Sequence, residues 1–183
     1  MKKLIIAAAM VCVAAFAQAA TVNWTVLNVK ADGGAAPTAG WAVMAFYTEV
    51  GAGSTAIENA INSKSAASLA FESKTLSVAL GSGRVAAHDI AVAGITDTSK
   101  NYDFYYVVFN NSDATAATKY VMVSDLNKEY SGMASKYTSS GNMSGATWQD
   151  ISSGPTPPVI PEPTTGLLVL LGIAGLALKR KQA

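Results

Sequence analysis

The chain has one cysteine, Cys12, one histidine, His88, and only 14% charged residues among its 183. Each shortage excludes something. One cysteine cannot make an intramolecular disulfide framework, and a single histidine with no cysteine in the mature chain nearly excludes a zinc site. Cys12 is preceded by Val11, so the small residue of a lipid-attachment motif is missing and a lipoprotein is not expected. There is no Gly-x-Ser-x-Gly elbow and no repeat at a solenoid period. Long hydrophobic runs are missing as well. The apolar stretch Gly166 to Leu178 would make a helix of only about 20 Å at 1.5 Å per residue, against a hydrocarbon core of about 30 Å. Snorkelling lysines and local thinning can carry so short a segment as a marginal anchor.

What is present is concentrated at the two ends. Met1-Lys2-Lys3 is a basic start, Leu4 to Phe16 is apolar, and Ala17-Gln18-Ala19 places small residues at −3 and −1 of a signal-peptidase site. Cleavage after Ala19 is expected, with cleavage after Ala20 as the alternative, and the mature chain then has no cysteine. The C-terminal end reads Pro161-Glu162-Pro163, the apolar stretch, then Lys179-Arg180-Lys181 as a basic stop. Removing Lys2, Lys3, Lys179, Arg180 and Lys181 from the 13 basic residues leaves 8, and removing Glu162 from the 12 acidic ones leaves 11. The body is therefore mildly acidic and has no basic stripe, which argues against nucleic acid as its partner.

The order Pro161-Glu162-Pro163, short apolar helix, terminal basic cluster resembles the PEP-CTERM sorting signal of exported proteins of Gram-negative bacteria that make extracellular polysaccharide. The resemblance is confined to residues 161–183, and Ile160 stands where the family often has Val. It implies recognition of Pro161, Glu162 and Pro163 by exosortase, a membrane-embedded cysteine transpeptidase-like enzyme, and removal of the tail near that block. The chain would then be held transiently at the inner membrane and delivered to the cell surface or the extracellular matrix.

Between the ends, alternation and turn residues predict strands at Thr21–Lys30, Trp41–Val50, Lys74–Leu80, Arg84–Ala93, Tyr102–Asn110 and Lys119–Ser124, with a last edge strand within Ala146–Ile151. Gly81-Ser82-Gly83 reads as a hairpin turn. Thr55 and Glu58 have capping-box spacing, which predicts a helix from Ala56 to about Ser63 with a less certain continuation to Phe71. Leu126 to Gly145, rich in Ser, Gly and Asn, reads as an ordered irregular loop. About seven strands and one helix make an all-β antiparallel sandwich. The organisation is 1–19 signal peptide, 20–151 sandwich, 152–160 Pro/Ser-rich linker and 161–183 sorting signal and anchor.

Candidate chemistry in the body is sparse. His88 and Asp89 are neighbours in a predicted strand and point to opposite faces, so they do not make a triad pair. Asp125, Asn127 and Glu129 put oxygen donors at alternate positions but lack the glycine and further ligands of a calcium loop, so a solvated loop is the better reading. Glu49, Glu58, Glu72 and Glu129 are the glutamates available for a dispersed carboxylate pair. Trp24, Trp41, Tyr105, Tyr106 and Trp148 could form a sugar-stacking platform, although aromatics in strands more often fill the core. We expect no catalytic residue, no metal and no cofactor. The function expected is that of a non-enzymatic surface or matrix protein, with a carbohydrate-binding module and a secreted hydrolase as the alternatives. Its partners would be signal peptidase, an exosortase-like enzyme, the inner membrane and, for the second reading, extracellular polysaccharide.

Overall fold

The computed structural model describes residues 19–152. They form an all-β fold of two five-stranded sheets and one short helix. The strands are β1 (Ala20–Val29), β2 (Ala42–Glu49), β3 (Glu72–Thr75), β4 (Ser77–Ala79), β5 (Ser82–Val92), β6 (Tyr102–Phe109), β7 (Lys119–Lys128), β8 (Tyr130–Ser131), β9 (Lys136–Asn142) and β10 (Gln149–Asp150). One sheet runs β4-β5-β1-β9-β8 and the other β10-β7-β6-β2-β3. The count is ten strands rather than about seven, and β1 and β9 are parallel, so the first sheet is mixed rather than antiparallel.

The inward residues of β1, Val22, Trp24 and Val26, are fully buried against Phe104, Tyr106 and Val108 of β6 and Val43 and Ala45 of β2. Trp24 stacks on Tyr106 across this core at 5.6 Å between ring centroids. The outer faces of β2 and β6 are buried too. Helix α1 (Thr55–Asn62) lays Ile57 and Ile61 over Met44, Phe46, Tyr105 and Phe109. Burial of each isoleucine contributes about 1.5–3 kcal/mol. Both faces of β2 and β6 therefore read as apolar, the pattern of central strands.

Several expectations shift in detail. Ser54 occupies the N-cap position without a side-chain bond to the helix backbone; its hydroxyl donates to Glu58 Oε1 at 2.6 Å, so Glu58 pairs with Ser54 rather than Thr55. The helix does not run on to Phe71. Lys64 takes a left-handed φ of 59°, with Ser65 N–H bonded to Ala60 O and Lys64 N–H to Ile61 O, a Schellman stop. A single 3-10 turn, Ala66–Ser68, follows.

The strand expected over Lys74–Leu80 is split at Leu76. This buried residue bonds its N–H to Trp41 O and accepts at its carbonyl from Gly40, and the chain passes there from one sheet to the other. Leu76 fits because Gly83 opposite has no side chain; a Cβ there would lie 2.5 Å from Leu76 Cδ2. The hairpin turn is Leu80-Gly81, both with positive φ and closed by the Ala79–Ser82 pair, so Ser82 and Gly83 belong to β5.

The largest departure is β8 and β9, which occupy the segment expected as an irregular loop. The core face of β9 consists of Tyr137, Ser139 and Gly141, so its alternation is one of size and exposure rather than of hydrophobicity. In β1 the bulge at Asn28, φ 60°, turns Val29 back to the core and puts Asn28 outside, the reverse of strict alternation.

Candidate functional site

At one end of the fold, the turn after β1 meets the segment between β9 and β10. Asp32–Gly34 form a 3-10 turn in which Gly33 and Gly34 have φ of 78° and 81°, a conformation that L side chains rarely adopt. The turn therefore presents bare backbone. Facing it, Trp148 donates its indole N–H to Lys30 O at 2.9 Å and meets Trp41 edge-on, ring centroids 5.4 Å apart. The indole is fixed by a hydrogen bond on one side and by a second indole on the other. Between the turn and Trp148 lies a cleft of about 330 Å³, with Val121, Met143 and Ala146 also lining it.

Charge at this end is internally matched. Lys119, at the start of β7, places Nζ 2.6 Å from Asp32 Oδ2 and 3.6 Å from Asp150 Oδ1. The hydrogen bond from Lys119, and then its charge, hold the Asp32 carboxyl below the usual carboxylate range. The reciprocal bond to Asp32 raises Lys119. Lys30 turns its ammonium away to Gly81 O, 2.7 Å. The cleft thus offers an aromatic wall, an apolar floor, peptide groups and one oriented carboxylate.

The residues singled out by sequence reading fall as follows. Pro161, Glu162, Pro163, Lys179, Arg180, Lys181 and Ala17 lie outside the described residues, as do both terminal apolar stretches. Ala19 is the first described residue. Of the five aromatics, Trp24 and Tyr106 are fully buried and stacked in the core, and Tyr105 is buried near the helix. A platform of all five is thus excluded; only Trp41 and Trp148 come together near the surface. His88 is exposed, and its neighbour Asp89 sits in a bulge with φ 55°, accepting from Lys136 Nζ at 2.6 Å, which lowers its pKa. Both side chains are therefore on the outer surface, against the expectation of opposite faces.

Asp125, Asn127 and Glu129 do not form a solvated loop. Asp125 and Asn127 lie in β7. Asp125 accepts from Ser139 Oγ and Ser140 N–H, and Asn127 takes a left-handed φ. Among the described residues no group of three or more His, Cys, Asp or Glu could hold a metal ion, and no helix is long and apolar enough to cross a membrane.

Sequence reading missed two things. Asp103 is buried inside β6, where its carboxylate accepts from Asn127 N–H at 2.7 Å and Gly51 N–H at 3.2 Å, tying the end of β7 to the turn after β2. A lone acid within an otherwise apolar strand was the available signal. The other is the Asp32–Lys119 pair, 87 residues apart in the chain, for which the sequence holds no local signal. No family model matches the chain, and no curated protein or solved structure matches it either.

Proposed function

We propose that this chain is an exported, non-enzymatic protein of the cell surface or extracellular matrix, sorted through its C-terminal tail by an exosortase-like enzyme. The observation that carries the reading is the order of elements at residues 161–183, Pro-Glu-Pro, apolar stretch, basic stop, on a chain that opens with a signal-peptidase site. The boundaries of the fold support it. β1 begins at Ala20, one residue past the expected cut, with Ala20 buried and its N–H bonded to Ile95 O at 2.9 Å. Removing residues 1–19 therefore takes nothing from either sheet. At the far end β10 closes at Asp150, with ten residues between it and Pro161, a Pro-rich spacer in which an enzyme at the membrane can reach its target.

In this scheme the leader directs export, the tail parks the body at the inner membrane with Lys179, Arg180 and Lys181 on the inner side, and cutting near Pro161-Glu162-Pro163 releases or transfers it. The test is intact mass of the protein recovered from the envelope and medium of its native host. A species that begins at Ala20 and ends near residue 161, lost on Glu162→Ala, is the expected result. A species that retains Lys179-Arg180-Lys181 makes the tail a plain anchor and overturns the sorting step.

A second reading, a carbohydrate-binding module of the extracellular matrix, is favoured by the cleft beside Trp148. Retention of the protein on matrix polysaccharide tests it. Among the described residues no arrangement of side chains favours a secreted hydrolase.

A further inference from the structure

The geometry points to a specific ligand for that cleft: one pyranose unit of an uncharged polysaccharide, stacked on Trp148 and hydrogen-bonded to Asp32 and to the backbone of the Asp32–Gly34 turn. This inference rests on the carbohydrate-binding reading and names its site. A pyranose has an apolar C–H face and a rim of hydroxyls, so its receptor needs a flat apolar wall beside polar groups that both accept and donate. Trp148 supplies the wall. Asp32 supplies the acceptor, already oriented by Lys119. At the turn, no neighbouring atom lies within 4 Å of the position where a side chain on Gly33 or Gly34 would begin, so a ligand can approach the peptide groups directly. The volume of about 330 Å³ is at the small end of ligand sites, suited to one ring rather than an oligosaccharide groove.

Preorganisation separates Trp148 from the other aromatics. Its N–H is committed to Lys30 O and its ring is in T-shaped contact with Trp41, so little side-chain freedom is left to lose on binding. Trp41 does not line the cleft; it is a positioning residue. The neutral character of the ligand follows from charge. Lys119 is shared between Asp32 and Asp150, and Lys30 is turned to Gly81 O. A uronate or sulfated sugar would find Lys30 and Lys119 already committed, and would meet the Asp32 carboxylate.

The experiment uses the full chain in mild detergent, with affinity electrophoresis and tryptophan fluorescence titration against a soluble β-glucan and dextran as neutral probes and alginate as the polyuronate. Binding to a neutral probe with a change in indole emission is expected. It should weaken about tenfold in Trp148→Ala, less in Trp148→Phe, and also in Asp32→Asn, a change at an exposed side chain that leaves both sheets intact. Trp41→Phe should weaken binding while leaving the stacking ring in place. Wild-type binding that persists unchanged in Trp148→Ala and Asp32→Asn overturns this site and leaves the carbohydrate-binding reading standing. Absence of binding to all three polymers overturns both. Binding to alginate alone overturns the assignment of an uncharged ligand.

Discussion

β6 and β9 face each other across the core: Phe104 of β6 lies 6.0 Å from Tyr137 of β9, centroid to centroid, and Tyr102 meets the same ring edge-on at 5.7 Å. They are held in opposite ways. β6 is buried at all eight positions, with Asp103 its only charge, and derives its stability from apolar area on two faces. β9 is buried at Tyr137, Ser139 and Gly141 only. It is held by a parallel ladder to β1, by the Asp125 carboxylate accepting from Ser139 and Ser140, and by the absence of a side chain at Gly141, where a Cβ would lie 2.7 Å from Tyr106 Cδ2. One strand fills space; the other leaves it. A large aromatic layer on β6 needs a thin strand opposite, so the composition of β9 is the complement of that of β6 and not a sign of looseness.

The largest test of this contrast is Phe104→Ala, which removes a fully buried ring. It should destabilise the fold by about 3–5 kcal/mol in chemical denaturation. Filling the complementary space should also hurt. Gly141→Ala forces Tyr106 or Val123 to move and is expected to cost about 1–3 kcal/mol. A melt unchanged in Gly141→Ala would break the idea that β9 is thin by necessity.

The tyrosines sharpen the comparison further. Tyr137 donates its hydroxyl to Lys100 O at 2.8 Å, and burial pushes its pKa up to about 12. Tyr137→Phe should cost about 0.5–1.5 kcal/mol. Tyr106 OH is buried beside the Ser139 hydroxyl without a well-aligned hydrogen bond, and burial raises its pKa further still, against the smaller lowering effect of Ser139. Tyr106→Phe is expected to be neutral or stabilising, because it removes a buried polar atom whose contact with Ser139 is too poorly aligned to offset its desolvation. Equal losses in the two variants would show that Tyr106 OH is satisfied after all.

The smallest effect concerns acid. Asp89 is held below its ordinary range chiefly by the hydrogen bond from Lys136 of β9, and Asp32 likewise by Lys119. A carboxyl with a lowered folded pKa contributes stability that is present above its unfolded value, about 3.9, and is lost as pH falls through the folded value. Stability should therefore decline below about pH 4. Both carboxylates are exposed, so the decline from each is slight. Asp89→Asn should flatten the curve in denaturation series taken from pH 7 downward, and an unchanged curve would remove the pair from the account.

Much of the fold was legible because burial on a strand leaves a mark in composition. Val22, Trp24 and Val26 announce one buried face, Tyr102 to Phe109 announce two, and Ile57 with Ile61 announce a helix face. β9 left no such mark, since Ser139 and Gly141 are ordinary loop residues until Tyr106 stands over them. The candidate cleft was half legible. Trp41 and Trp148 were visible as candidates, but so were Trp24 and Tyr106, and only packing separates a ring in the core from a ring beside a cleft. Asp32 and Lys119 are distant in sequence and meet only because β1 ends near the place where β7 begins.

By itself the sequence determined the all-β class, the central strands, the short helix, the scarcity of cysteine and histidine, and the two terminal patterns on which the functional proposal rests. Those features depend on local periodicity and composition. Tertiary structure alone decided that β1 pairs in parallel with β9, that Leu76 passes the chain between sheets, and that one indole is fixed at the wall of an open cleft. These depend on which distant residues become neighbours, and local pattern carries no record of that.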